Sequence, residues 1–209
     1  MGLANRKGTM RYKIIYLTLF FLSNLVCSQE IKLENLPYKK NIKENILEGQ
    51  IFSEANVKSS NLNKDQSLNF SIAGLHSKSC TYVLKTLSLY EEYSNYLSFV
   101  KFSQYNEQKQ EINFLLSHPL LPYDMVLIFK LPRITAPGTY PFIFDIGILK
   151  NLHGTINVIN HQDRCLFYSY AQWSGPHTGF PNMVFELFTQ VLSKLSMEML
   201  FRISSSLKH

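Results

Sequence analysis

Residues Phe180 to Ile203, FPNMVFELFTQVLSKLSMEMLFRI, make the last long stretch of the chain with a helical period. Apolar residues recur at Val184, Leu187, Phe188, Val191, Leu195 and Met199, the i, i+3, i+4, i+7 spacing of one helix face. Glu186, Gln190, Lys194 and Arg202 take roughly the opposite side. Pro181 suits a first turn, where its missing N–H costs nothing, and Arg202 suits the negative end of the helix dipole. About 24 residues at ~1.5 Å rise give a rod of ~36 Å, long for a globular domain. A rod that closes a run of strands needs a curved sheet to lie in. A plain core helix with no ligand beside it is the competing reading.

Working back from that helix, the chain reads as strands. Ser67–Ala73 (SLNFSIA) alternates Leu68, Phe70 and Ile72 against Ser67, Asn69 and Ser71 and stops at Gly74, the pattern of a half-buried strand. A helix follows from Cys80 to about Leu89, with Ser77 or Ser79 placed to cap it, and then a shorter one, Tyr90–Leu97. Six strands come next: Val100–Tyr105, Gln110–Ser117, Met125–Leu131, Thr139–Ile146, Gly154–Ile159 and Arg164–Trp173. The links between them are short and carry turn residues such as Ala136-Pro137-Gly138 and Gln162-Asp163, so neighbours are antiparallel. Helices outside a meander define an α+β chain. Upstream, Gln29–Asn45 is polar, lysine-rich and without a clear period, and reads as a flexible leader. Glu48–Lys58 is a candidate extra strand.

The 209 residues suffice for one domain with a real core. The formal net charge of +6 does not signal nucleic acid. Arg6, Lys7, Arg11 and Lys13 are the only charged residues among the first 28, and without them 17 basic residues face 15 acidic ones. The abundant Phe and Tyr fall in strand segments, so they belong to a wall rather than to a basic stacking surface. The four cations precede an apolar run, Ile14–Val26, with the length and order of a secretory signal. The run is short for a transmembrane span. Val26 and Ser28 place cleavage before Gln29 and the protein outside the cytoplasm, in the periplasm or secreted. An uncleaved anchor, or lipidation of Cys27, stays open. The chain therefore divides into a signal over 1–28, a leader over 29–65 and a folded domain over 66–204. Cleavage leaves Cys80 and Cys165, an even pair that in an exported chain suggests a disulfide, with two reduced buried thiols as the alternative.

The stretch Cys80–Phe102 (CTYVLKTLSLYEEYSNYLSFVKF) looks like the helix pair of the START-like, or SRPBCC, superfamily, in which a strand leaves the helices through Phe-Val. The order strand, two short helices, six strands, long helix resembles the helix-grip pattern of that superfamily over Gln66–Ser204. The similarity is nearest to its polyketide cyclase and coenzyme-Q-binding START groups. It implies a bent seven-stranded antiparallel sheet that grips the terminal helix, with an apolar cavity between them closed by the short helices. It also implies that the first strand lies beside the last, which brings Cys80 close to Cys165.

A cavity needs large apolar side chains on the concave face. A period of two puts Leu127 and Phe129, Tyr140, Phe142 and Phe144, and Leu166, Tyr168 and Tyr170 on one face. The alternate set, Ile143, Phe167, Ala171 and Trp173, is apolar too, so the period leaves the inward face open, and a solidly filled core remains the alternative. From the helix, Val184, Phe188, Val191 and Leu195 complete the candidate ligand-binding set. Tyr140, Tyr168 and Tyr170 would offer hydroxyls to a lipid or isoprenoid head group. Of six histidines, five lie in or near turns and His209 is terminal, with no pair at helical metal-site spacing, so no metal and no cofactor is expected. No catalytic residue is assigned. Asp145 and Arg133 would be the polar pair of a cyclase- or dehydratase-type enzyme if both faced the cavity. Leu120-Leu121-Pro122-Tyr123 is either a buried turn or an apolar tip that touches a bilayer in passing. The expected activity is non-enzymatic binding or transport of a hydrophobic small molecule or lipid by a monomer. A cyclase in the same fold and a cell-envelope interaction protein with a filled core are the two rivals.

Overall fold

Leu68, Phe70 and Ile72 point to the inside of a strand that runs from Asp65 to His76, longer than its alternation predicts. The computed structural model describes residues 32–60, 62, 64–119 and 124–206. In chain order the elements are a 3-10 turn Leu33–Asn35, α1 Lys40–Leu47, β1 Phe52–Ser59, β2 Asp65–His76, α2 Cys80–Leu87 and a 3-10 turn Tyr90–Glu92. They continue with α3 Tyr93–Tyr96, β3 Val100–Asn106, β4 Glu111–Leu116, β5 Met125–Lys130, β6 Gly138–Ile146, β7 His153–His161, β8 Arg164–Pro176 and α4 Asn182–Ser206. Ser79 holds the residue before α2, but its hydroxyl makes no capping bond there.

Among the described residues the sheet has eight strands in the order β1-β2-β8-β7-β6-β5-β4-β3, each antiparallel to its neighbour. This is the helix-grip architecture with one strand more than expected. The extra strand is β1, the Glu48–Lys58 candidate moved slightly along the chain. The first strand of the grip does lie beside the last: Phe70 pairs with Ala171 and His76 with Cys165. Register slips between Val100 and Phe102 and between Ile128 and Phe129 mark irregular positions, the kind of device that bends a sheet. At Gly154 the backbones of β7 and β8 come so close that a Cβ would stand 2.0 Å from the Tyr170 carbonyl oxygen.

The expectation of a flexible leader is corrected for its described part. Leu33, Leu36, Tyr38 and Ile46 are buried against Ala73, Leu75 and Leu166 on the outer face of β2 and β8. The physical reason is that these strands are apolar on both faces there, so the outer one also needs cover. The leader supplies it with widely spaced apolar residues set among lysines. The apolar run Ile14–Val26, the Leu120–Tyr123 segment and His209 lie outside the described residues.

The helix α4 is rotated from the expected face. Phe188 and Met199 do pack inward. Val184, Leu187, Val191 and Leu195, however, are 48, 62, 38 and 43% exposed. The inward side carries Phe185, Phe188, Leu192, Leu200 and Phe201 interleaved with Thr189, Ser193, Ser196 and Ser204. The helix is apolar nearly all round, so a hydrophobic period could not pick its core face. What orients it is polar. The Glu186 carboxylate accepts the Val57 N–H at 2.7 Å, and Gln190 Nε2 donates to the Ala55 carbonyl at 3.3 Å. Both bonds satisfy backbone groups on β1, which lies at one end of the sheet order.

Candidate functional site: an apolar hollow between sheet and helix

Two adjoining cavities of about 400 and 350 Å³ lie between the concave face and α4. The core is therefore not filled, which removes the observation on which a purely structural reading would rest. Phe70 of β2, Phe114 of β4, Phe129 of β5 and Phe142 and Phe144 of β6 line both, with Tyr93 of α3 and Ser193, Ser196 and Leu200 of α4. These residues form a waist between the two chambers. Its rings stack along the wall: Phe129 to Phe144 at 4.7 Å between centroids, Phe114 to Phe129 at 5.6 Å and Tyr93 to Phe114 at 5.9 Å. Edge-to-face and offset contacts of this kind stiffen an aromatic wall beyond simple area burial.

The first chamber continues under α2 to Leu84 and Leu87 and along β7 and β8 to Ile156, Phe167 and Ser169. The second opens under α3 to Leu97 and Phe99 and along β5 to Leu127. The closing helices are fixed by their tyrosines. Tyr93 donates its hydroxyl to the Leu87 carbonyl at 2.7 Å. Tyr90 donates to the Pro132 carbonyl at 3.1 Å and accepts the Ile134 N–H at 3.0 Å. Burial holds both phenols well above their ordinary pKa, so neither ionises in any physiological range. Arg133 completes this clamp from outside the cavities. It pairs with Glu107 at 2.6 Å and Glu91 at 3.1 Å, donates to the Ser88 carbonyl and lies over the Tyr105 ring at 4.5 Å.

Of the candidate ligand residues, Leu127, Phe129, Phe142, Phe144 and Phe188 line the hollow. Tyr140 sits on the same face, packed beside the core, with its hydroxyl donated to the Ala136 carbonyl at 2.7 Å. Three corrections follow on β8 and α4. The inward set of β8 is Phe167, Ser169, Ala171 and Trp173, the alternate set, since Phe70 pairs with Ala171 and Leu68 with Trp173. Tyr168 borders the first chamber, but its ring meets Tyr38 of the leader at 6.1 Å, and Tyr170 is 37% exposed and bonded to Gln172. Val184, Val191 and Leu195 face outward, as described. The waist residues Phe70, Tyr93, Phe114, Ser193 and Ser196 were not among the candidates. For Phe70 and Phe114 a period of two was available as a signal; for the serines none was.

The polar pair of an enzyme reading is not assembled. Asp145 pairs with Lys130 at 2.9 Å, Arg133 with the two glutamates, and neither lines a cavity. Among the described residues, no group of three or more His, Cys, Asp or Glu could hold a metal ion, and no helix is long and apolar enough to cross a membrane. Cys80 and Cys165 form a disulfide, Cα to Cα 4.6 Å, that ties the start of α2 to the start of β8. The register that sets His76 opposite Cys165 brings them together.

No protein-family model matches this chain, and no curated protein matches it. Solved structures do. A START superfamily protein from Mycobacterium smegmatis is similar over 67% of this chain and 99% of its own, at 14% identity and a TM-score of 0.52. The Zhui aromatase/cyclase from a Streptomyces species matches over 66% and 94%, at 8% identity and TM-score 0.53. The protein Ara h 8.0201 matches over 68% and 99%, at 11% identity and TM-score 0.52. At such identities the likeness shows the fold alone: an α+β, helix-grip fold like that of these START-like structures.

Proposed function

We propose that this protein is an exported carrier that holds a hydrophobic molecule, a lipid or an isoprenoid, in the hollow between its sheet and α4, without covalent chemistry. One observation carries the reading: no charged side chain and no histidine of the described residues lines either chamber. Cavities of about 300–1,000 Å³ with mainly apolar walls are the usual size and character of small-molecule sites. Burial of ~300 Å² of ligand surface at ~25 cal/mol/Å² contributes ~7.5 kcal/mol before entropic costs, enough for useful affinity. One structure of similar fold is an aromatase/cyclase and another a START superfamily protein, which supports a small-molecule site in this fold. The scattered Asp145 and Arg133 favour the carrier over a cyclase. The disulfide supports an oxidising compartment. Transient contact with a bilayer belongs to the same proposal, supported by the exposed apolar side chains of Met183, Val184, Leu187 and Val191 on the outer side of α4.

The test is organic extraction of natively purified protein followed by mass spectrometry. A stoichiometric apolar compound is the expected result. Repeated extraction of nothing apolar, together with no binding of neutral apolar dyes, contradicts the proposal.

A further inference from the structure

We infer that the ligand of this hollow is uncharged and carries a hydroxyl donor, an alcohol or a phenol, where its body crosses the waist. The inference rests on the carrier reading above and specifies the chemistry of the same site. Two observations point to it.

The first is the sign of the charge the site can take, which is none. The chambers offer no cation to a carboxylate or phosphate and no carboxylate to an amine. An ion placed there loses its hydration and gains no partner, a cost that far exceeds that of burying a neutral group.

The second is the state of the few hydroxyls at the waist. A serine hydroxyl has one hydrogen to give and two lone pairs to receive with. Ser196 gives its hydrogen to the Leu192 carbonyl at 2.6 Å. Ser193 is 3.0 Å from the Gln190 carbonyl, to which it donates, so Ser53 must be the donor in the 2.9 Å contact between Ser53 and Ser193. Thr189, in the second chamber, has likewise given its hydrogen to the Phe185 carbonyl at 2.8 Å. Backbone carbonyls of α4 have thus taken every hydrogen from these three side chains. What remains toward the ligand is lone pairs: two on Ser196 and one on Ser193. A hydroxyl on the ligand donates to them directly. A ketone, ester or quinone oxygen placed at the waist meets only these acceptors, unless a serine first surrenders its bond to the helix; the Ser169 hydroxyl lines the first chamber, beyond the waist.

The experiment is displacement of the neutral dye N-phenylnaphthylamine from the purified disulfide-bonded protein by hexadecanol, methyl palmitate and palmitate. These ligands share one chain length and differ in head-group chemistry. At about pH 7.5, where palmitate is ionised, hexadecanol is expected to bind about 5–10-fold tighter than methyl palmitate and at least about 100-fold tighter than palmitate. In the Ser193→Ala/Ser196→Ala variant, hexadecanol should fall to the level of the ester while the ester itself stays put. Alanine favours the helix, so this variant keeps its fold. Palmitate binding as tightly as hexadecanol, or an alcohol preference that survives in the variant, overturns the inference while leaving the carrier standing. Failure of hexadecanol and the ester alike to displace the dye overturns the carrier reading, and the inference with it.

Discussion

Two residues, one half-buried and one buried, show how single positions hold this grip together. Gly154 lies where β7 and β8 approach too closely for a side chain, with the obstacle a backbone carbonyl that cannot swing away. Gly154→Ala is expected to cost roughly 1–3 kcal/mol by overpacking and to lower the melting temperature, which calorimetry can read; an unchanged midpoint would show that the strands part easily. His76 joins the end of β2 to the last turn of α4. Its Nδ1 accepts the Lys78 N–H at 2.9 Å, so Nε2 carries the proton and donates to the Phe201 carbonyl at 3.1 Å, with Ser204 and Ser205 at 3.2 and 3.0 Å. Burial, the largest influence, lowers its pKa below the ordinary value of 6.5. Between the lowered folded pKa and the unfolded one, the unfolded chain binds more protons, so stability rises with pH across that interval. The stabilisation is complete above the unfolded pKa and is lost as pH falls toward the folded one. The melting temperature should therefore drop on acidification below about pH 6.5, and His76→Gln should flatten that part of the profile. A profile identical in the variant would remove His76 from the account.

Among the elements, α4 teaches most. The length and position of this helix were legible at Phe180–Ile203, but its rotation was not. Val184, Leu187, Val191 and Leu195 satisfy a helical period and yet face outward. The facing was set by Glu186 and Gln190, which look like surface residues in the sequence and in fact bind the backbone of β1. Long-range polar partners of this sort leave no local periodic trace. Glu186→Ala is expected to speed hydrogen exchange at Val57 by about tenfold or more, since a bond to a charged acceptor is lost, while the β2 amides facing β8 stay protected. Equal protection at Val57 would mean that the β1–α4 seam contributes nothing. The disulfide acts between α2 and β8 and closes a separation of 85 residues. Cys80→Ser/Cys165→Ser should cost about 2–5 kcal/mol in urea unfolding, and a reducing agent should reproduce the loss in the wild type. Matching midpoints with and without the bridge would contradict this.

For the whole molecule, the order of elements was the legible part. Turn residues at regular intervals and alternating strands fix a meander, and a meander followed by a long rod has few ways to fold. The inward face of β8 was not legible, because Leu166, Tyr168 and Tyr170 are as apolar as Phe167, Ala171 and Trp173. The inner set faces α4 and the cavity, and Leu166 and Tyr168 of the outer set are covered by the leader that appeared too polar to pack. The leader thus covers the outside of the grip at β2 and β8, β1 extends the sheet edge and bonds to α4, and the hollow lies inside. That hollow is the central claim, and titration with a neutral apolar dye tests it most directly when wild type is set beside Ser196→Phe, which plugs the waist. Saturable binding in the wild type, weakened at least about tenfold in a variant that keeps its circular dichroism, is the predicted result. Equal binding by both proteins, or no saturable binding by the wild type, would contradict it.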